Sequence, residues 1–338
     1  MSSPSSSSAS GSGWTRTSAE ARAAGRPPSW VASRPPSKEA ATSYPERLRE
    51  LVEEYLEELH FTSADPLDAE DAVGTEGLIE AMRYSLLAGG KRLRPVLALA
   101  TCERLGEPAE RLLPTAAALE LIHTYSLIHD DLPSMDDDDL RRGRPTCHVV
   151  YGEDTAILAG DALYAEAIRL VCEHQEGGPR VQVGVLGELS RATGVHGMVG
   201  GQYLDLSHAG LQSAAALRRV HALKTGRLMA CAVHCALVLA DAPPDVTSVY
   251  REFARELGLL FQIVDDILDV SGSEQLLGKA VGADERMGKV TYVSFHGLDG
   301  ARRLAAETHS RARALLEDVP GEVGDLEELT DLVYDRRN

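Results

Sequence analysis

Two clusters of aspartates lie far apart in this chain, each inside an apolar sequence typical of a helix. The first is Asp130-Asp131-Leu132-Pro133-Ser134-Met135-Asp136, and the second is Asp265-Asp266-Ile267-Leu268-Asp269. Carboxylates are costly to place on an apolar helix unless a positive charge meets them. Oxygen ligands suit Mg²⁺, which commonly bridges carboxylates to substrate phosphates. The clusters therefore predict a diphosphate site that uses Mg²⁺. A solvated acidic face is the alternative, above all for the Asp136–Asp139 run.

The sequence around each cluster predicts how its carboxylates are presented. Residues 119–129 have apolar positions at three- and four-residue spacing and contain neither Gly nor Pro, which predicts a helix leading into Asp130. Pro133 should end or kink that helix, so Asp136 must return to the site from a turn. Asp265 and Asp269 are four residues apart and therefore lie on one helical face, where they can share a metal ion.

Basic residues occur in blocks that suit a polyanionic ligand. Arginine offers planar bidentate donors, lysine a mobile point charge, and glycine lets the backbone approach phosphate oxygens. The blocks are Gly89-Gly90-Lys91-Arg92-Leu93-Arg94-Pro95, Arg141-Arg142-Gly143, Lys224-Thr225-Gly226-Arg227, Lys279 and Lys289. A single block is typical of ordinary surface charge, but their occurrence together with two metal clusters favours phosphate binding.

Seven motifs follow one another in an order shared with a known family. They are Gly89-Gly90-Lys91-Arg92-Leu93-Arg94-Pro95 with His123, Asp130-Asp131-x4-Asp136, Leu140-Arg141-Arg142-Gly143, Gly200-Gly201-Gln202-x-x-Asp205, Lys224-Thr225, Phe261-Gln262-x-x-Asp265-Asp266-x-x-Asp269 and Gly288-Lys289. This order resembles that of the trans-isoprenyl diphosphate synthases, especially the bacterial farnesyl diphosphate synthases, from about residue 45 onward. The resemblance implies a single all-α domain of roughly ten core helices around a deep central cavity, and a homodimer.

Composition agrees with an all-α fold. A chain of 338 residues can bury a large core, and its long Ala- and Leu-rich stretches show few of the alternating patterns that strands require. We found no convincing short-period repeat and expected no apolar run long enough to span a membrane.

The resemblance also implies the chemistry. An allylic diphosphate ionises, the double bond of isopentenyl diphosphate attacks the carbocation, and a proton is lost to the departing diphosphate. Three Mg²⁺ ions are implied on Asp130, Asp136 and Asp265, with Asp131 and Asp269 in support. The implied groups on the allylic side are Arg141, Lys224, Thr225, Gln262 and Lys279, with the Thr225 hydroxyl and the Gln262 carbonyl facing the carbocation.

Isopentenyl diphosphate needs a second anion pocket, without metal. The resemblance implies that this pocket consists of Gly90, Lys91, Arg94, His123 and Arg142. His123 lies seven residues before Asp130, so on a continuous helix the two side chains point almost the same way, two turns apart. A lone histidine on a helix is otherwise more often structural, and His129, beside the metal cluster, is assigned either such a role or one in supporting the metal ligands.

Product length is predicted from Tyr125 and Ser126, which precede the first aspartate cluster. In the family, the fifth residue before that cluster forms part of the floor met by the growing hydrocarbon, and an aromatic residue there is similar to the pattern of farnesyl diphosphate synthases. The alternatives are a geranylgeranyl diphosphate synthase or, with less support, a class I terpene cyclase, whose second metal motif normally mixes Asn, Ser or Thr with Glu. Three further alternatives are a non-catalytic subunit, a helical scaffold with acidic faces, and a purely structural role for Tyr125.

Residues 1–43 differ in composition from residues 44–338, which we assign to the all-helical domain. The first segment is rich in Ser, Ala, Pro and Arg, carries five basic and two acidic residues, and lacks hydrophobic periodicity, so it is predicted to be disordered. Its composition fits an organellar transit peptide, and the alternatives are a mis-assigned start or an unstructured bacterial extension. It lacks the apolar core of a secretory signal. The default expectation is a cytoplasmic protein.

Charge and cysteine content exclude some functions. The whole chain has a net charge of −18, and residues 1–43 contribute +3, so residues 44–338 carry −21. Such an acidic domain argues against a nucleic-acid partner. The basic residues that bind the ligand must then be concentrated at the site. Five cysteines are scattered through helical segments; we interpret them as small buried apolar residues, although Cys231 and Cys235 are spaced one turn apart.

Overall fold

The computed structural model describes residues 44–61, 74–207, 213–271, 290–319 and 325–335, which belong to one compact unit spanning residues 40–338. Its helices are α1 (Tyr44–Glu58), α2 (Glu76–Leu86), α3 (Leu93–Arg104), α4 (Leu113–Asp130), α5 (Cys147–Tyr151), α6 (Glu153–His174), α7 (Gly178–Thr193), α8 (Met198–Leu206), α9 (Ala214–His221), α10 (Arg227–Leu239), α11 (Pro244–Ser271), α12 (Tyr292–Glu317) and α13 (Asp325–Tyr334). A 3₁₀ turn covers Ala109–Leu112, and a π turn covers Ala222–Gly226. The predicted all-α fold is confirmed.

Helix α4 runs through the interior and carries the first aspartate cluster at its end. Pro114 lies in its first turn, where a missing N–H costs nothing, and most of its residues are buried. It packs against α6 along its length and also contacts α1, α2, α3 and α10. Burying each large side chain, such as Leu119 or Ile122, contributes roughly 1.5–3 kcal/mol, so tertiary packing holds this helix in place.

The chain after α4 forms a short hairpin that the sequence did not predict. Strand β1 (Leu140–Arg141) pairs antiparallel with β2 (Arg144–Pro145). Arg142 and Gly143 connect them with φ values of 54° and 74°, the combination that a tight hairpin turn requires. Because each strand has only two residues, the architecture is still helical, but the hairpin determines where Arg141 and Arg142 lie.

Helix α9, the π turn and α10 form one continuous helical stretch, Ala214–Leu239. Its length and apolar composition would suffice to cross a membrane, which corrects our expectation that no such run exists. However, 56% of its most apolar window is buried inside the protein, as in an ordinary core helix. It packs against α3, α7 and α11. We therefore interpret it as a core helix that the π turn interrupts at Lys224 and Thr225.

The last helices close the bundle over the second aspartate cluster. Helix α11 packs lengthwise against α12, and α13 contacts both of them as well as α3. The start of α12 has a capping box, in which Thr291 accepts from the Ser294 backbone and the Ser294 hydroxyl accepts from the Thr291 backbone. Gly297, with φ of 68°, kinks α12 near its start. The end of α11 is therefore held beside the beginning of α12.

Four of the five cysteines are buried, as expected, whereas Cys172 is exposed and corrects that expectation. The Sγ atoms of Cys231 and Cys235 are 3.7 Å apart as free thiols. Burial raises the pKa of the Cys102 thiol to about 12, so this residue behaves as a small apolar side chain.

Candidate active site

The first aspartate cluster has the turn that Pro133 predicted. Helix α4 ends at Asp130, and the chain folds back so that the Asp136 N–H donates to the Asp130 carbonyl oxygen across 2.9 Å. The Asp138 N–H similarly donates to the Asp131 carbonyl oxygen at 3.2 Å. Asp130 and Asp136 are therefore held close together although only Asp130 lies on the helix.

Asp131 and Arg141 bind each other. Arg141 Nε lies 2.9 Å from both carboxylate oxygens of Asp131, and its Nη2 lies 2.5 Å from Oδ1. Burial raises the pKa of Asp131, and the paired guanidinium opposes that rise. The second carboxylate of the cluster is thus neutralised by the cation that we expected on the allylic diphosphate.

The three aspartates of the second cluster have different surroundings on α11. Asp265 is exposed, whereas Asp266 and Asp269 are buried. Asp266 accepts from the Tyr292 N–H at 2.7 Å and from Gln262 Nε2 at 3.1 Å. Asp266 therefore caps the start of α12 and orients the amide of Gln262, a structural role that spacing did not reveal.

Lys224 joins the first cluster to a third motif. Its Nζ donates to Asp205 Oδ2 at 2.7 Å, and it is close enough to Asp130 and Asp136 for both to act on its charge. Burial alone would lower the pKa of Lys224, but Asp205 and Asp130 more than offset this and raise it. Asp205 was visible in the sequence motif and was not assigned a role; the structure places it as the residue that holds Lys224.

Glycines let the π turn pack closely against its neighbours. A Cβ added to Gly201 on α8 would lie 2.2 Å from the backbone nitrogen of Lys224, and one added to Gly258 on α11 would lie 3.1 Å from the Cα of Gly226. The approach at Gly201 leaves no room for a side chain, and the one at Gly258 is tight for any Cβ. The π turn is thereby clamped from two sides, which positions Lys224 and the half-buried Thr225.

Asp130 is an unusual carboxyl group. Burial raises its pKa to about 6; Lys224 opposes this shift and Asp136 adds to it. Desolvated carboxyls beside like charges are common at functional sites, where a bound cation relieves the repulsion. The donor set of the two clusters consists of carboxylate oxygens, which Mg²⁺ prefers.

Within the described ranges, no three His, Cys, Asp or Glu side chains are close enough to enclose one metal ion. This arrangement is compatible with Mg²⁺, because that ion usually takes one or two protein carboxylates and completes its coordination with waters and substrate phosphates. The residues present therefore fit Mg²⁺ bound together with a diphosphate.

A separate cationic region lies around Gly90. The Arg142 guanidinium rests directly on Gly90, where an added Cβ would come within 2.6–2.7 Å of its nitrogen and carbon atoms. Arg94 and Arg142 both act on His123, and the pKa of its buried imidazole is well below the usual value because of burial and these guanidinium charges. Burial also lowers the pKa of Arg94 to about 10, which leaves it charged at neutral pH. Lys91 is exposed beside them.

Several buried polar atoms, one in this region and others on α8 and α9, lack a hydrogen-bond partner in the part of the chain that is described. They include Arg94 Nε, both amide atoms of Gln202, and His221 Nδ1. Buried donors without partners are costly unless a ligand or water satisfies them. The negative charge of Asp265 raises the pKa of Arg94 and so opposes the effect of burial, which means that the second aspartate cluster and this cationic region are neighbours.

Tyr125 and Ser126 lie one turn before the end of α4 and are half-buried. The Ser126 hydroxyl donates to the His123 carbonyl oxygen at 2.8 Å and is thus turned onto its own helix. Tyr125 contacts the rings of His129 and Tyr164. A small pocket opens on another side of α4, with Thr124, Asp131, Arg141 and Arg142 in its lining. Lys279 and Lys289 lie outside the described residues.

Comparisons with known proteins agree with these features. A family model described as polyprenyl synthetase matches residues 75–333. Over 241 residues the chain is 47% identical to a chloroplastic geranylgeranyl pyrophosphate synthase of Capsicum annuum, covering 70% of this chain and 65%, just under two thirds, of that protein. Over 266 residues it is 46% identical to the farnesyl diphosphate synthase of Escherichia coli, covering 77% of this chain and 89% of that protein.

A solved structure has the same fold. The geranyltransferase of Helicobacter pylori, complexed with magnesium and isoprenyl diphosphate, superposes with a TM-score of 0.72 and 29% identity over 87% of this chain and 97% of that one. The two sequence relatives carry names with different product lengths at nearly equal identity. Overall similarity therefore does not distinguish a farnesyl from a geranylgeranyl product.

Proposed function

Because this chain belongs to the polyprenyl synthetase family, we propose that it is a Mg²⁺-dependent trans-prenyltransferase that condenses dimethylallyl and geranyl diphosphates with isopentenyl diphosphate to farnesyl diphosphate. The observation that carries the proposal is the meeting of Lys224, Asp130 and Asp136. These residues come from motifs far apart in sequence, yet both carboxylates raise the pKa of the half-buried Lys224. A cation among carboxylates is the arrangement that a diphosphate with bound metal ions requires.

Three Mg²⁺ ions would be held by Asp130, Asp136 and Asp265, with Asp131 and Asp269 in support. When bound, Mg²⁺ supplies positive charge that stabilises the diphosphate as it leaves the allylic carbon. Arg141, Lys224 and Lys279 are assigned to the same diphosphate. Lys224 is well suited to this role because Asp205 fixes its position and its raised pKa keeps it protonated at neutral pH.

The carbocation is assigned to the region between the π turn and α11. The Thr225 hydroxyl and the Gln262 carbonyl oxygen would face it. Gln262 Nε2 donates to Asp266, so the oxygen at the other end of the amide is directed away from that carboxylate. Fixed dipoles in a site that excludes water stabilise developing positive charge without reorganisation.

Isopentenyl diphosphate is assigned to Gly90, Lys91, Arg94, His123 and Arg142. The low pKa of His123 keeps its imidazole neutral at neutral pH, so it would donate a single N–H to a diphosphate oxygen, beside the charged Arg94 and Arg142. The unpartnered Nε of Arg94 is a ready donor. The departing diphosphate is the proposed proton acceptor in the last step.

Tyr125 favours the fifteen-carbon product. A helix rises about 1.5 Å per residue, so Tyr125 lies about 7.5 Å along α4 from Asp130, within reach of a growing hydrocarbon chain. The alternative is a geranylgeranyl diphosphate synthase, the activity named for the Capsicum annuum relative, which is similar to this chain at nearly the same identity as the Escherichia coli protein. In that case Tyr125 would be a core aromatic and the limit would lie deeper.

The test is steady-state turnover of dimethylallyl and isopentenyl diphosphates with Mg²⁺, with products separated by chain length. We expect farnesyl diphosphate from the wild type and from Tyr125→Phe, which retains the ring, and a twenty-carbon product from Tyr125→Ala. A wild type that forms geranylgeranyl diphosphate would support the alternative. Cyclic hydrocarbon made without isopentenyl diphosphate would indicate a terpene cyclase, and absence of Mg²⁺-dependent turnover would refute the enzyme assignment.

We also propose a homodimer, without nucleic-acid partners or stable membrane insertion, in the cytoplasm. The chloroplast protein from Capsicum annuum favours the alternative that residues 1–43 direct the chain to an organelle. Light scattering tests the dimer. Fractionation of cells that express the chain with and without residues 1–43 tests the location.

A further inference from the structure

Tyr125 is held between two other rings. Its ring centroid lies 5.3 Å from that of His129 with an interplanar angle of 89°, and 5.4 Å from that of Tyr164 with an angle of 74°. Both are edge-to-face contacts, the geometry that aromatic pairs prefer. His129 is itself fixed, because its Nε2 lies 3.1 Å from the Ile157 carbonyl oxygen and its ring occupies the space over Gly160. Tyr125 is therefore pressed against α6.

Tyr164 is anchored at its far end. Its hydroxyl lies 3.2 Å from Thr193 Oγ1, at the end of α7. Thr193 donates its own hydroxyl proton to the Leu189 carbonyl oxygen at 2.9 Å, so Tyr164 must donate and Thr193 must accept. Thr193 is buried, with 2% of its surface exposed. The ring of Tyr164 thus spans from α7 to the edge of Tyr125.

The two tyrosines are only partly buried and do not belong to the fully buried core. Tyr125 and Tyr164 are both half-buried, whereas Leu163, the neighbour of Tyr164, is completely buried. Burial raises the pKa of the Tyr125 hydroxyl to about 12, and Tyr164, Asp130 and Asp161 add to this rise, so Tyr125 is a neutral phenol at neutral pH. A hydrocarbon that reaches Tyr125 would meet Tyr164 directly behind it.

We propose that Tyr164, anchored by Thr193, is a second specificity-determining residue that limits product length by supporting Tyr125 and blocking the space behind it. This inference rests on the proposed function. It assigns to α6 and α7 part of a limit that the sequence had placed on α4 alone. Removing Tyr125 then leaves a partial block, and removing Tyr164 lets the Tyr125 ring swing aside.

The experiment compares Tyr164→Ala, Tyr125→Ala and the double variant by product length and by the use of farnesyl diphosphate as the allylic substrate. We expect Tyr164→Ala to lengthen the product beyond that of the wild type and to raise kcat/KM for farnesyl diphosphate at least about tenfold, a typical scale for steric discrimination in an apolar pocket. Turnover of dimethylallyl diphosphate is measured alongside to give the ratio of the two kcat/KM values, which should shift toward farnesyl diphosphate. The double variant should give the longest products.

Two conservative variants test the anchor. Tyr164→Phe and Thr193→Val both remove the hydrogen bond between the two hydroxyl groups while retaining nearly the same side-chain volume. Both should lengthen the product less than Tyr164→Ala does. Tyr151→Ala is the matched control: Tyr151 forms a similar edge-to-face pair with Tyr84, at 5.5 Å and 73°, on α5 and away from this space. It should leave the product unchanged.

A folded Tyr164→Ala enzyme that condenses at the wild-type rate and stops at the wild-type length would overturn the inference. If Tyr164→Ala does not fold, Tyr164→Leu, which keeps apolar volume without the reach of the ring, takes its place under the same criterion. An inactive wild type would instead refute the proposed function. A lengthened product in Tyr151→Ala as well would reduce the effect to general loosening and count against the inference.

Discussion

Arg92 Nη1 donates to Glu120 Oε1 across 2.7 Å, and the two side chains are only 1% and 3% exposed. Arg92 also binds Glu53 through Nε at 2.9 Å and the Leu86 carbonyl oxygen through Nη2 at 2.8 Å. These contacts join α1, the end of α2, the start of α3 and α4. Arg94, two residues later, instead lies in the proposed isopentenyl pocket with His123. Neighbouring arginines of one basic block therefore have different roles.

Loss of Arg92 should reduce stability strongly. Arg92→Met leaves the buried Glu120 without its cation, and breaking a buried ion pair from one side typically costs about 3–5 kcal/mol. Urea unfolding would measure this change in the free energy of unfolding. Arg49→Met is the control, because the Arg49–Glu46 pair is exposed and should contribute less than about 1 kcal/mol. Equal losses in the two variants would contradict the assignment.

Loss of Arg94 should affect one substrate. Arg94→Ala removes a charge-assisted contact to isopentenyl diphosphate and should raise its Michaelis constant roughly 10- to 100-fold, while the constant for the allylic diphosphate changes little. Initial rates with each substrate varied in turn would measure this. The exposed Arg144, which stacks on Tyr84, provides the control variant Arg144→Ala. If both Michaelis constants rise equally in Arg94→Ala, the division into two pockets is wrong.

Loss of a metal carboxylate should abolish most turnover without unfolding the protein. Asp130→Ala or Asp265→Ala removes a contact that strengthens as the diphosphate leaves, and a loss of about 10²- to 10³-fold in kcat is expected. Circular dichroism would check folding. Asp139→Ala is the matched control, since its side chain is 83% exposed at the end of the same turn. Near-normal turnover by Asp130→Ala at saturating Mg²⁺ would exclude the metal assignment.

Glu188 should stabilise the protein in a pH-dependent way. It accepts from Arg191 at 2.8 Å and Arg251 at 3.2 Å and lies 3.3 Å from His234 Nδ1, so it links α7, α10 and α11. Its pKa is lowered to about 2, mainly by His234 and then by Arg191, against the opposing effect of burial. A lowered carboxyl pKa means that the folded state binds the proton less tightly than the unfolded chain does. Its stabilisation is therefore complete above about pH 4.5 and is lost as the pH falls toward 2.

Glu188→Gln should accordingly lower the free energy of unfolding by roughly 1–3 kcal/mol at pH 7, the scale of hydrogen bonds to a charged group. The difference from the wild type should shrink between pH 4.5 and 2, as followed by urea unfolding across that range. A difference that stays constant over this range would indicate that the carboxylate charge is not what stabilises the contact.

Deletion of residues 1–43 should leave both turnover and melting temperature nearly unchanged in vitro. The segment has too little apolar content to contribute a packed face. Thermal unfolding and steady-state rates of the full and shortened chains would test this. A marked decrease in either quantity would mean that the segment packs on residues 44–338.

Much of the site could be predicted from residue type and spacing because those properties are local. The seven-residue separation of His123 and Asp130 fixes their relative direction once the chain is helical, and Pro133 ends the helix whatever the surrounding fold is. The same holds for the four-residue spacing of Asp265 and Asp269. Family resemblance added the order of the motifs, which depends on the sequence alone.

Other features depended on residues distant in the chain. The sequence contains Lys91, Arg92 and Arg94 as one basic block, but Glu53 and Glu120 select Arg92 for the interior. Asp266 resembles its neighbours in the cluster, yet it is the N–H of Tyr292, on another helix, that gives it a capping role. The positive φ of Arg142 and the contact of its guanidinium with Gly90 follow from a hairpin with a two-residue turn, which no periodicity predicts.

The sequence by itself thus determined the helices and the family, and it predicts the chemistry of the two aspartate clusters. Periodicity and spacing specify which side chains share a helical face, and residue type specifies what they can bind. Only the tertiary structure decided which charged residues pair with each other inside the protein, as Arg92 does with Glu120 and Arg141 with Asp131. Burial and ion pairing are set by how separate helices pack, so the role of a charged residue depends on partners that its local sequence does not contain.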